Sequence, residues 1–230
     1  MKDNVKLLKF ASDHIEMPNV KPAKKFIPNW YKGIKGWNEN NIQFDNFERL
    51  INVKSCMPFL DSLTSGYMVE LWVDVHVSGN NDNKSVVWAN EPAPISLRKT
   101  EDNLIPIPAG HSNQHFIWKT KNIIKLPKGY SALIVHPLNR FDLPFTTLSG
   151  VVDKDFTQPE GNLPFFIKND FSGVIPAGTP IYQVIPFKRE NWKAVEDLNI
   201  LIDAKKMSEK SRRKFYGYYK NNVWNKKTYE

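Results

Sequence analysis

A chain of 230 residues with 41% hydrophobic and 13% aromatic content can bury a sizeable core, which excludes a wholly disordered protein. Its single cysteine excludes an internal disulfide, and it carries neither a membrane-length apolar run nor the apolar stretch of a signal peptide, so a soluble intracellular protein is predicted. The formal charge of +8 is polarised, with eight Lys against three acids in residues 1–35 and nine Lys or Arg against two Glu in residues 205–230. Basic ends on a mildly acidic middle point either to contact with an anionic partner, such as nucleic acid, a membrane surface or an acidic protein surface, or simply to solubility.

Residues 1–50 read as an extended basic and aromatic segment, in which LLKF is a candidate strand and PAKKFIPNWYKGIKGW a proline-punctuated loop that wraps a surface or another subunit. A β core is predicted over residues 51–188. Strands are expected at 51–60 and at 67–77, where Tyr67, Val69, Leu71, Val73, Val75 and Val77 alternate with Met68, Glu70, Trp72, Asp74 and His76. Cys56, flanked by Met57, Pro58 and Phe59, reads as a small core residue. The turn cluster SGNNDNKS makes 67–77 and 85–89 a hairpin, and further strands are expected at 94–98, 114–119, 131–136, 147–153, 163–168 and 181–187.

Two of these strands belong to a repeated phrase. In LPKGYSALIVHP (126–137) and IPAGTPIYQVIPF (175–187), Pro127, Gly129, Val135 and Pro137 stand 49 positions before Pro176, Gly178, Val184 and Pro186, and IPAG at 107–110 is a partial third copy. Proline presets φ and glycine permits φ > 0, so each Pro-x-Gly reads as a tight turn feeding a strand. Regular turn-strand units predict an all-β core: a β-sandwich or jelly roll, or a double-stranded β-helix. Residues 189–230 read as a helical, basic-aromatic appendage. Val195, Leu198, Leu201 and Ile202 fall at helical spacing, and Ser208 is a candidate N-cap for a second helix reaching about Tyr219.

Three constellations carry candidate chemistry. On one strand, His111 and His115 would share a face and could bind Fe, Mn or Zn with His76, Asp74 or Glu91; otherwise they are two polar side chains on an exposed face. The Pro-x-Gly turn before them resembles the second motif of cupins, which implies a metal-dependent oxygenase. Asp153 and Asp155, two residues apart, either share a cation or form a solvated strand end. The run HPLNRFDLPFTTLSGVVDKDF followed by IPAGTPIYQVIPF resembles the dUTPase and dCTP deaminase family. Gly150, Val152 and Asp153 match its Gly-x-Val-Asp motif, Gly178 and Gln183 match the next strand, and Arg140, after an Asn, stands where that family carries Pro-Arg-Ser. This resemblance implies a nucleotide pyrophosphatase in which Asp153 orients the attacking water and Mg²⁺ neutralises the phosphates. Finally, Arg212, Arg213 and Lys214 interleave with Tyr216, Tyr219 and Trp224, either as phosphate contacts beside stacking surfaces or as an apolar helix face that docks on a sheet or a neighbouring subunit.

Over most of its length, in PAKKFIPNWYK, CMPFLDSLTSGY, LPKGYSALIVHPLNR, GVVDKDF and IPAGTPIYQVIPFKRE, the chain resembles a group of uncharacterised tailed-phage proteins, marine ones among them, with more distant bacterial relatives. The resemblance implies a place in the host bacterial cytoplasm or the virion and brings no activity. The expectation is therefore a homo-oligomeric binding or structural module rather than an enzyme, with the metal oxygenase and the nucleotide pyrophosphatase as alternatives.

Overall fold

The computed structural model describes residues 5–14, 17–36, 52–80, 83–98, 105–157, 161–213 and 217–230. Two compact units partition the chain: residues 1–28, 63–189 and 229–230 form one, and residues 29–62 with 190–228 form the other. The first unit is built from strands β1 (Lys9–Ala11), β2 (Lys21–Pro22), β3 (Tyr67–Glu70), β4 (Val75–Gly79), β5 (Lys84–Trp88), β6 (Ile95–Arg98), β7 (His115–Lys119), β8 (Ile123–Lys125), β9 (Tyr130–Val135), β10 (Phe145–Thr147), β11 (Gly150–Val152), β12 (Asn162–Ile167), β13 (Gly173–Ile175) and β14 (Pro180–Lys188). Helices are few: α1 (Asn29–Gly33), α2 (Met57–Thr64), α3 (Ile200–Arg213) and α4 (Tyr218–Asn222). Among the described residues no helix is long and apolar enough to cross a membrane.

The repeated phrase is one turn used three times. The backbone N–H groups of His111, Tyr130 and Thr179 donate to the carbonyls of Pro108, Pro127 and Pro176 at 3.1, 3.2 and 3.2 Å. The glycines between them, Gly110, Gly129 and Gly178, hold φ of 76°, 82° and 83°, which other residues adopt only with strain. The two full copies then pair with each other antiparallel, from Gln183↔Val135 to Lys188↔Tyr130. They form the middle of a five-stranded sheet of order β11-β9-β14-β3-β2. A register shift between Pro180 and Tyr182 accommodates a proline, which lacks a ladder donor, opposite β3. Gln183, fully buried in this strand, donates through Nε2 to Ser65 O (2.6 Å) and accepts at Oε1 from the Leu138 N–H (2.9 Å).

A second sheet has the order β10-β12-β7-β6, a third β13-β4-β5, and β1 pairs with β8; every ladder described is antiparallel. Apolar residues of these sheets merge into one core, among them Leu71, Val75, Ile95, Phe116, Trp118, Phe145, Phe165, Ile175, Ile181 and Val184. At its centre Trp118 stacks on Phe165 with 3.7 Å between centroids and meets Phe145 edge-on at 5.0 Å. The indole N–H, buried with the ring, donates to Thr147 Oγ1 (3.0 Å), and that hydroxyl donates on to Ile181 O in the five-stranded sheet (2.7 Å). Burial on this scale is the main driving force for an all-β core.

Several sequence expectations change in tertiary context. The strand expected at 67–77 is two strands in two sheets, because at Leu71 the backbone turns to bond Thr179 and Gly178. Alternation holds beyond that point, with Val73, Val75 and Val77 buried and Asp74 and His76 exposed, but Met68 and Glu70 are buried as well. Residues expected as strand at 51–60 instead form a 3-10 turn (Val53–Ser55) and α2. Pro58 falls in the first turn of α2, where a missing N–H costs nothing. Cys56 lies exposed between these elements rather than in the core. The 147–153 strand divides into β10 and β11, in different sheets. In the second unit α3 is one continuous helix through Ser208, so that serine is interior rather than a cap.

Phe165→Ala should lower the unfolding free energy by about 3–5 kcal/mol through the lost ring and the cavity left under Trp118. Urea denaturation followed by tryptophan fluorescence measures it.

Candidate functional site

A cluster of charged side chains forms where the two repeated strands meet, at the end of β14 and the start of β9. β9 begins at the Gly129 turn, β14 ends at Lys188, and the Arg189 N–H donates to Gly129 O (2.9 Å), fixing the arginine beside the turn. The chain leaving β11 brings Asp153 and Asp155 to the same place. Arg189 Nη1 lies 3.1 Å from Asp153 Oδ1 and 3.1 Å from Asp155 Oδ1, and Nη2 donates to Asp155 Oδ2. Ser131 Oγ donates to Asp153 Oδ1 at 2.6 Å, and the Gly129 N–H donates to Asp155 Oδ2 at 3.0 Å.

The cation shared by the two carboxylates is thus a guanidinium of the chain itself. The Ser131 hydrogen bond, then Arg189, holds Asp153 below the ordinary carboxylate range. Asp155 is lowered further, to about 2, by its bonds to Arg189 and to the Gly129 N–H. The carboxylates in turn raise Arg189. A carboxylate held this firmly ionised is a poor proton acceptor and a good electrostatic anchor. Asp153 keeps 61% of its side chain open to solvent, while Asp155 is closed off at 3%. A divalent metal between them would meet the positive charge already there, so these residues do not fit Mg²⁺ held by the pair.

Arg140 is engaged elsewhere. Its guanidinium forks onto Asp142, Nε to Oδ1 at 2.8 Å and Nη2 to Oδ2 at 2.8 Å, with a longer bond to Phe26 O. It belongs to the turn in which its N–H donates to Pro137 O (3.1 Å), and among the described residues its guanidinium bonds Asp142 and Phe26, not Asp153.

The histidines do not converge. The sharing of one face by His111 and His115 presumes a continuous strand, but β7 starts only at His115, and His111 makes a single bridge to Lys168. His111 Nδ1–H donates to Ala109 O (3.0 Å), and its Nε2 hydrogen-bonds the Thr146 hydroxyl (2.9 Å). His115 is wholly buried and stacks on Phe166, and burial lowers its pKa. His76 is on the exposed face of β4, in another sheet. Among the described residues no three His, Cys, Asp or Glu side chains come together as metal ligands, which corrects the His76, His111 and His115 grouping.

At the C-terminal end, Arg212 and Arg213 close α3 and are exposed, and Tyr219 is exposed in α4. Trp224 does not present a free stacking face with an idle N–H. Its Nε1 donates to Asp61 Oδ2 (3.0 Å), which Lys227 also pairs (2.6 Å). Lys214 and Tyr216 lie outside the described residues.

Sequence reasoning missed Arg189 and Ser131. A signal for the arginine was present, since Arg189 stands 49 positions after Arg140, the same offset that relates the two Pro-x-Gly strands.

No family model matches the chain, and no curated protein matches it. The solved structures similar to it include a dUTPase of Staphylococcus bacteriophage 80alpha with dUpNHpp, at 14% identity over 84% of this chain and 89% of that one, with a TM-score of 0.36. A second structure of the 80alpha enzyme gives 12% identity over 84% and 98%, with a TM-score of 0.37. A dUTPase from phage phi11 of S. aureus, described with a structural Mg(II) ion, gives 13% over 84% and 98%, with a TM-score of 0.36. Superposition at that level carries no activity from those enzymes to this chain.

The ion cluster has a defined pH signature. Asp155 has a folded pKa of about 2 against about 4 when unfolded. Its stabilisation is present above pH 4 and lost as pH falls toward 2. Arg189→Gln should lower Tm at neutral pH and flatten the fall of Tm between pH 4 and pH 2, as read by thermal melts across that range.

Proposed function

We propose that this chain is a binding and assembly module, a β-sandwich of jelly-roll type whose C-terminal segment docks on a second copy. The observation that carries this reading is the exposure of every residue from 187 to 213. Trp192 is 87% exposed, Val195 75% and Leu198 69%, and Leu201 and Ile202 follow on α3. Burying a side chain of this kind contributes about 1.5–3 kcal/mol, so leaving the series in water forfeits a large driving force. A lone helix of 14 residues is also marginal in water, which leaves α3 dependent on a partner surface.

Charge favours a second copy as that partner. Residues 205–230 carry nine Lys or Arg against two Glu, while the middle of the chain is net acidic. A basic segment with an apolar stripe complements an acidic β body. Wild-type protein should therefore scatter light as a dimer or larger at micromolar concentration, and a Trp192→Ser, Leu201→Ser double variant should be monomeric. A monomeric wild type would overturn the reading, and so would a double variant that remains oligomeric.

A second reading, nucleotide hydrolysis, rests on Asp153, which is ionised and open to solvent beside Arg189. It draws on the resemblance of residues 150–153 to the dUTPase motif. Here Asp153 would orient water by hydrogen bonding rather than take its proton. The test is release of pyrophosphate from dUTP and dCTP, with Asp153→Asn expected to lose roughly a hundredfold or more in kcat. Failure of both nucleotides to turn over eliminates this second reading.

A further inference from the structure

The first unit carries a partly open pocket of about 260 Å³ that none of the preceding chemistry uses. Its walls come from β8, β9, β11, β12 and β14, with Ile124, Ile134, Val152 and Leu163 supplying aliphatic surface. Lys154, two residues beyond the end of β11 at Val152, also lines it. The residue is only 8% exposed, and its backbone is held by the Leu126 N–H donating to Lys154 O (2.7 Å).

Among the described residues Lys154 Nζ has no carboxylate partner and no hydrogen-bond acceptor. The other buried lysine among the described residues is satisfied: Lys84 Nζ donates to Asn169 O and Phe171 O, at 2.8 Å each. Burial alone lowers the Lys154 pKa, and no neighbouring charge contributes. Desolvating an ammonium without a counter-charge is costly, and a group so placed in a pocket marks a candidate ligand contact. Beside it are the buried Tyr182, Asn122 and Thr120. The Tyr182 hydroxyl bonds the Thr120 hydroxyl, which donates to Gly161 O at 3.0 Å.

We propose that this pocket binds a small organic carboxylate, with the carboxylate on Lys154 Nζ and an apolar body against Ile124, Ile134, Val152 and Leu163. A cavity of 150 Å³ accepts benzene, so a volume of about 260 Å³ holds a molecule of roughly ten non-hydrogen atoms. Inorganic phosphate would leave the aliphatic wall uncovered, and a neutral molecule would leave the ammonium without a counter-charge. The site is independent of the assembly and hydrolysis readings, because it involves neither the C-terminal segment nor Asp153.

The test follows methyl resonances of Ile124, Ile134, Val152 and Leu163 in the full chain during titration with 4-methylpentanoate and phenylacetate. The corresponding amides and inorganic phosphate serve as comparison probes. At least one carboxylate should shift these methyls saturably, and its amide should bind at least roughly tenfold more weakly, the loss expected for one charge-assisted contact. In Lys154→Met the carboxylate should weaken by the same factor while the unliganded Tm rises, because an unpaired buried charge has been removed. Equal binding of acid and amide overturns the proposal, as does an effect of phosphate matching that of the carboxylates. Absence of any saturable shift overturns it, and so does unchanged affinity in Lys154→Met. A lower unliganded Tm in that variant would assign Lys154 a structural role and overturn it too.

Discussion

The antiparallel pairing of β9 with β14 is the constraint on which the first unit depends. Each strand is introduced by the same Pro-x-Gly turn, and their register, Gln183↔Val135 through Lys188↔Tyr130, decides what every flanking strand can do. β11 adds to the outer side of β9 and β3 to the outer side of β14. A slip of one residue would turn Val184 and Ile134 away from the core they now fill. Two features resist that slip. Gln183 bonds Ser65 and Leu138 from a fully buried position, and Arg189 ties the end of β14 to the turn that begins β9.

The polar residues most suggestive of chemistry do much of this structural work. Asp153, Asp155, Ser131 and Arg189 gather at one place because two strand ends and a turn converge there. Arg189 offsets part of the charge of the two carboxylates, and Asp155 also accepts from the Gly129 N–H of the turn. His111 and His115 similarly serve the local backbone and the aromatic layer, through Ala109, Thr146 and Phe166. Short-range spacing of His or Asp says that two side chains lie near each other, and the neighbours that tune them come from other strands.

The two ends of the energetic scale lie in different parts of the chain. Around Trp118 the rings are stacked and the one polar atom is satisfied through Thr147. From residue 187 to 213, by contrast, every residue is exposed, apolar side chains included. The pocket at Lys154 is a third situation, in which a lysine without a carboxylate partner among the described residues lies beside aliphatic walls. The last two depart from the rule that buried charge is paired and apolar surface is buried, and it is on these departures that the two proposals rest.

Elements governed by local chemistry were legible in the sequence. The Pro-x-Gly turns follow from proline's fixed φ and glycine's tolerance of positive φ, the antiparallel β-rich character from alternation, and the helical C-terminal segment from its loss. Local pattern misled where two states share it: MPFLDSLT reads as an apolar strand yet forms α2, with Pro58 in its first turn. Tertiary structure alone decided that 67–77 divides between two sheets, that Arg189 sits on Asp153 and Asp155, and that Lys154 lines a pocket. These outcomes depend on which distant strand becomes the neighbour. That choice is made by the summed burial of a whole core, and no window of adjacent residues contains it.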